Sequence, residues 1–171
     1  MAGQWPLLAI GIAQVNPVVG DFSGNVVQLA DTCLMMHRHG VELVVAPRMA
    51  LCGYPLGALP DSPGFRLRAE RALDELKCQL PLDMAVILSH GEVLAGQFVE
   101  CLMLVQRGGH EIIAYPMASS ATRMPLPESA VAHVRQCVVL PFFADTPAPL
   151  ARAPQAFDFM VECDAAPYWY P

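Results

Sequence analysis

Apolar positions along the chain fall into two patterns, short solid runs and sets spaced three or four apart. Leu7–Val15 is a nearly continuous apolar run closed by Asn16-Pro17, the signature of a buried strand. Asn25–His39 carries Val26, Leu29, Ala30, Cys33 and Leu34 on one helical stripe, and Gly40 follows where a helix C-terminus favours glycine. Glu42–Ala46 predicts a second buried strand, stopped by Pro47. Met49–Pro60, punctuated by Gly53, Pro55, Gly57 and Pro60, predicts a loop. A second helix is predicted over 63–80, with Phe65, Ala69, Ala72, Leu73 and Leu76 as its stripe and Pro63 in its first turn. Strands follow at Met84–Ser89, Gln97–Gln106 and Glu111–Tyr115, the last two joined through Gly108-Gly109 as a hairpin. Residues 116–127 are irregular, Cys137–Phe143 and Phe157–Cys163 are further strands, and Thr146–Gln155 is a Pro/Ala segment with part of a helix. Ala165–Pro171 forms an aromatic, proline-rich tail. There are no repeats, and the order β-α-β-α-β-β-β with later strands predicts one layered α/β domain over residues 1–171.

Composition changes this picture in two ways. The chain is 54% hydrophobic and only 15% charged, with mean hydropathy +0.39, which implies apolar surface covered by a partner or a second copy. The net charge of −6 argues against nucleic acid and anionic membranes as partners. No apolar run reaches the roughly 18 residues needed to span a bilayer, and the opening lacks the basic region of a secretory leader. Six cysteines stand singly, with no CxxC pair and no Cys/His cluster, so a structural zinc site is not expected, and a reducing cytoplasm is; no cofactor is expected either. His37 and His39 flank Arg38 at the end of the first helix, where they complement its dipole better than they would bind a metal.

The run Ala13-Gln14-Val15-Asn16-Pro17-Val18-Val19-Gly20-Asp21-Phe22-Ser23-Gly24-Asn25 resembles the opening of the glutamine-hydrolysing domain of NAD synthetases, within the nitrilase (carbon–nitrogen hydrolase) superfamily. There a strand ends in AQ-x-NP, and VGD and GN lead into the first helix. Three further stretches resemble the same domain in order: Glu42–Pro55, Met84–Tyr115 with its GG hairpin, and Phe157–Tyr168. The resemblance implies a nitrilase-like α-β-β-α sandwich, here shortened and without a synthetase domain, and an oligomer of paired sandwiches. Its partner would be a second copy or a nitrilase-type or NAD-synthetase-type protein.

The superfamily cuts amides with a Glu–Lys–Cys triad: a thiolate attacks, a carboxylate takes its proton, and a lysine steadies the oxyanion. Each member belongs to a motif that can be placed on this chain. The glutamate follows the proline that ends the second strand, where this sequence has Arg48. The lysine follows a Tyr-Arg pair after the GG hairpin, where Met117 stands. The cysteine ends a buried strand before Glu-Asp, where Phe143 stands, with Asp145 as a remnant. Arginine cannot serve as a base near neutral pH. Lys77 is the chain's one lysine and lies on the second predicted helix, remote from the motif loops. The expectation is therefore a pseudoenzyme, a structural or regulatory subunit. The alternatives are an amidase or glutaminase with a non-standard site near Cys52, and a small-ligand sensor using the relic pocket. Cys52 itself reads plainly as a small buried residue. Glu100, within a strand, needs a partner if buried, and Arg48 is a candidate. Tyr168, Trp169 and Tyr170 are candidate interface anchors.

Overall fold

The computed structural model describes residues 7–94, 97–114, 131–143 and 157–163. The described elements are β1 (Ile10–Ile12), α1 (Phe22–Arg38), β2 (Leu43–Val45), α2 (Phe65–Gln79), β3 (Ala85–Leu94), β4 (Gln97–Gln106), β5 (Gly109–Ala114), β6 (Ala132–Val134), β7 (Cys137–Phe143) and β8 (Phe159–Cys163). A single 3₁₀ turn, Leu59–Asp61, interrupts the loop between β2 and α2. The predicted alternation of strands and helices is therefore present. The sequence pattern misses β6, a three-residue strand whose middle position is the exposed His133.

Five strands form one sheet in the order β1-β2-β3-β4-β5. The first two pairings are parallel, because α1 and α2 carry the chain back across the sheet; β3, β4 and β5 then fold back as antiparallel neighbours. A second sheet has the order β6-β7-β8.

Strand alternation sorts the core into two slabs. Val44, Val86, Leu88, Cys101, Met103 and Val105 face the helices, where Val26, Leu29, Ala30 and Cys33 of α1 and Phe65, Ala69, Ala72, Leu73 and Leu76 of α2 cover them. Leu43, Val45, Ala85, Ile87, Leu102, Leu104 and Ile113 face the other way and meet Ala132, Val134, Val139 and Val161 of the second sheet. The described residues thus form three layers, α-β-β. The segment expected to contribute further helix, Thr146–Gln155, lies outside them.

Helix α1 begins three residues before its predicted start. The Asp21 carboxylate accepts from Gly24 N at 3.0 Å and caps the helix at Phe22. Asn25, expected to open the helix, is instead buried inside it. Its Oδ1 accepts from Val18 N at 2.7 Å, and its Nδ2 donates to Val18 O at 2.8 Å and Leu51 O at 3.2 Å. A buried amide must fill its hydrogen-bonding capacity, and this one fastens the β1–α1 turn to the loop after β2. Leu34, predicted on the buried stripe, is 38% exposed. Met36 takes the inner position and packs towards Gly11 and Val41.

Among the described residues, cover on the face towards the second sheet thins along β1: Leu8 and Ile10 still pack against the slab between the sheets, but Ile12 does not. Ile12 pairs with Val45, and Val45 with Ile87; Val45 and Ile87 are buried, whereas Ile12 is 70% exposed. Among the described residues no helix is long and apolar enough to cross a membrane.

Candidate functional site

The loop leaving β2 begins where the strand's last contact is made, with Ala46 N donating to Ile87 O at 2.9 Å. Pro47 then ends the ladder. Met49 lies in the left-handed region, φ 52°, and its amide donates to Ser89 Oγ on β3 at 2.6 Å. Cys52 N and Gly53 N both return to Met49 O, at 3.0 and 2.8 Å, closing a tight turn. Gly20 N donates to Cys52 O at 2.9 Å, so this turn is stitched to the one before α1. Gly53, at φ 82°, sits so close that a Cβ would lie 2.5 Å from the backbone of Val19. Only glycine satisfies both constraints at once.

Held on this frame, the Arg48 side chain reaches across to Glu100 of β4. Its Nε lies 3.0 and 2.9 Å from the two carboxylate oxygens, and Nη2 lies 2.8 Å from Oε2. The pair is largely covered, the side chains being 19% and 12% exposed. Arg48 also lies over the Tyr54 ring at 5.5 Å, an aromatic support for the cation. The partnership expected from a strand glutamate's need for a counter-charge is therefore realised. The position where the resemblance calls for a catalytic carboxylate holds a cation, locked in a bidentate pair.

Cys52 stands next to this pair and is 1% exposed. Burial pushes its thiol up to about 12, and the Glu100 charge pushes the same way. Near neutral pH it is a thiol and not a thiolate, so the group lacks the charge that nucleophilic attack requires. The nearby cation does not rescue it, because Glu100 neutralises that cation first.

Lys77 is on α2 as predicted, but its side chain is only 14% exposed rather than displayed on the surface. Its Nζ contacts Asp74 Oδ1 at 2.6 Å and lies 3.4 Å from His110 Nδ1. His110 is paired with Val105, five residues along β4 from Glu100, or about 17 Å of strand. Lys77 therefore cannot steady a reaction centre beside Arg48. Phe143 closes β7, paired with Cys163; its side chain, together with Met117, Tyr168, Trp169 and Tyr170, lies outside the described residues. His37, expected to complement the helix dipole, does lie in the last turn of α1 and also bonds Asp83 Oδ1 at 2.8 Å. Among the described residues no three His, Cys, Asp or Glu side chains gather as metal ligands.

One polar residue was missed. His90 is 1% exposed, and neither ring nitrogen has a hydrogen-bond partner. The pattern ended the third strand at Ser89, but β3 runs on to Leu94 against β4. Continuing the alternation from Val86 and Leu88 would have placed His90 under the helices.

No family model matches the chain. Over 82 residues, 48% of this chain and 15% of the relative, it is 30% identical to a glutamine-dependent NAD(+) synthetase of Synechocystis. Among solved structures it resembles a glutamine-dependent NAD(+) synthetase from Cytophaga hutchinsonii, with TM-score 0.72 and 17% identity over 93% of this chain and 30% of that one. It resembles an amidase of the nitrilase superfamily from Nesterenkonia equally well, with TM-score 0.72 and 14% identity over 93% of this chain and 65% of that one. The fold is thus nitrilase-like, and the likeness read in the sequence is to the same proteins. This chain spans less than a third of the synthetase structure and about two thirds of the amidase.

Proposed function

We propose that this chain, a relative of the nitrilase superfamily with its layered fold, is a catalytically silent, single-domain subunit with a structural or regulatory role. It would act in the cytoplasm and assemble with itself or with a nitrilase-type or NAD-synthetase-type protein. The observation that carries this reading is the Arg48–Glu100 pair. It replaces a proton-accepting carboxylate with a guanidinium that cannot give up its proton near neutral pH. It also occupies the space beside the buried Cys52 with a satisfied ion pair. The high thiol pKa of Cys52 and the remoteness of Lys77 support the same conclusion. The apolar composition supports an assembly role.

The test is ammonia release from glutamine and from small aliphatic amides, using the purified chain alongside its Cys52→Ser variant. Both are expected to stay at the uncatalysed background. Turnover in the wild type that disappears in Cys52→Ser would overturn the reading in favour of a hydrolase with a rearranged site. Light scattering on the same samples tests the assembly arm, and a monomer that captures neither protein type would remove it.

A further inference from the structure

His90 is a buried imidazole that the proposed function does not use. It projects from β3 towards the helical layer, one alternation beyond Leu88. Its cross-strand partner on the same face is Cys101, whose Sγ lies 3.5 Å from the His90 carbonyl oxygen and not at the ring. Both ring nitrogens are buried without a partner. A neutral imidazole has one donor and one acceptor to satisfy, so this placement is already costly. A protonated ring would be far worse placed. The charged groups within its electrostatic reach are Lys77 and Glu70 on α2 and His110 on β5. Lys77 and His110 oppose a second positive charge, and the lysine is already shared with Asp74. Glu70 would favour it, but that carboxylate is held by Arg66 Nε at 2.7 Å on the outer side of the helix.

We propose that His90 is an acid-sensitive latch beneath α2: proton uptake at this ring releases α2 from the sheet while the rest of the helical layer stays in place. The ring can gain water only if the cover over it lifts. α2 is that cover, since it packs on β3 and supplies Ala69, Leu73 and Leu76 to the slab in which the ring lies. α1 packs beside α2, the Phe22 and Phe65 rings meeting at 5.6 Å, but it has a separate tie to the loop after β2 through Asn25. Burial, with the neighbouring positive charges, holds the ring's pKa down near 4, against 6.5 for a free imidazole. The sign follows directly. With the folded pKa depressed, stability is complete above about pH 6.5 and is lost as pH falls towards 4, because the opened form takes up the proton first. At pH 5 this one group makes the opening equilibrium about 30-fold more favourable than at pH 8.

Hydrogen exchange of the full chain at pH 8 and pH 5, corrected for intrinsic rates, reads this directly. Amides of α2 are expected to lose protection by about 30-fold at pH 5 while those of α1 change little. In His90→Leu, which keeps the bulk and removes the titration, α2 should become insensitive to pH. Equal loss in both helices, or the same pH dependence in His90→Leu, would overturn the latch. Should His90→Leu fail to fold, the same exchange comparison in His90→Gln decides: α2 protection insensitive to pH supports the latch, and an unchanged pH dependence rejects it.

Discussion

Arg48 and Glu100 meet through three close contacts in a mostly dry setting, so the two are interdependent. Removing one partner strands the other's charge, whereas replacing both with neutral groups of similar shape leaves nothing stranded. Arg48→Met and Glu100→Gln are each expected to destabilise by about 2–3 kcal/mol, below the fully buried range because both side chains keep some water. The double variant should lose less than the sum of the two, and urea unfolding of all four proteins gives the coupling. Additive losses would mean that the contact contributes little. Asn25 offers a purely neutral counterpart. Asn25→Ala strands Val18 N, Val18 O and Leu51 O together and is expected to cost about 2–4 kcal/mol, read as a lowered urea midpoint with an unchanged slope.

Elements differ in how heavily they lean on burial. Ile12 and Ile87 lie on the same row of the sheet, yet one is 70% exposed and the other fully buried. Ile12→Thr is expected to change stability by less than about 0.5 kcal/mol, while Ile87→Ala should cost about 2–5 kcal/mol; thermal melts of the pair measure the contrast. Which elements the sequence discloses follows the same logic. Solid apolar runs such as Leu43–Val45, and the α2 stripe from Phe65 to Leu76, are legible because burial on one face forces the pattern. Leu34 is not, since it stands at the margin of a stripe whose other members, Val26, Leu29, Ala30 and Cys33, are buried, and hydrophobicity alone does not mark where that margin falls. β6 is not, because three residues with a polar centre carry too little pattern. The site divides similarly. Arg48's partner was legible because a glutamate in an apolar strand must be compensated. His90 was hidden because His-Gly-Glu after Ser89 has the composition of a turn, and only long-range pairing with β4 keeps it extended.

At the scale of the molecule, the described residues form three layers in which α2 and the sheet beneath it meet over the buried His90 ring. The buried ring also has a global consequence, separate from the local opening of α2. Urea titrations of the wild type between pH 8 and pH 5 should show stability falling with pH, and His90→Leu should flatten that dependence. The Arg48–Glu100 pair also limits what position 48 can become. Placing a carboxylate there alone would set two acids against one another in a poorly solvated space, which favours keeping one of them protonated. A stable carboxylate at position 48 therefore calls for a change at position 100 first or at the same moment. Each single substitution passes through a less stable protein, so the pair works as a ratchet: the contact that holds the loop also fixes the charge on both sides of it.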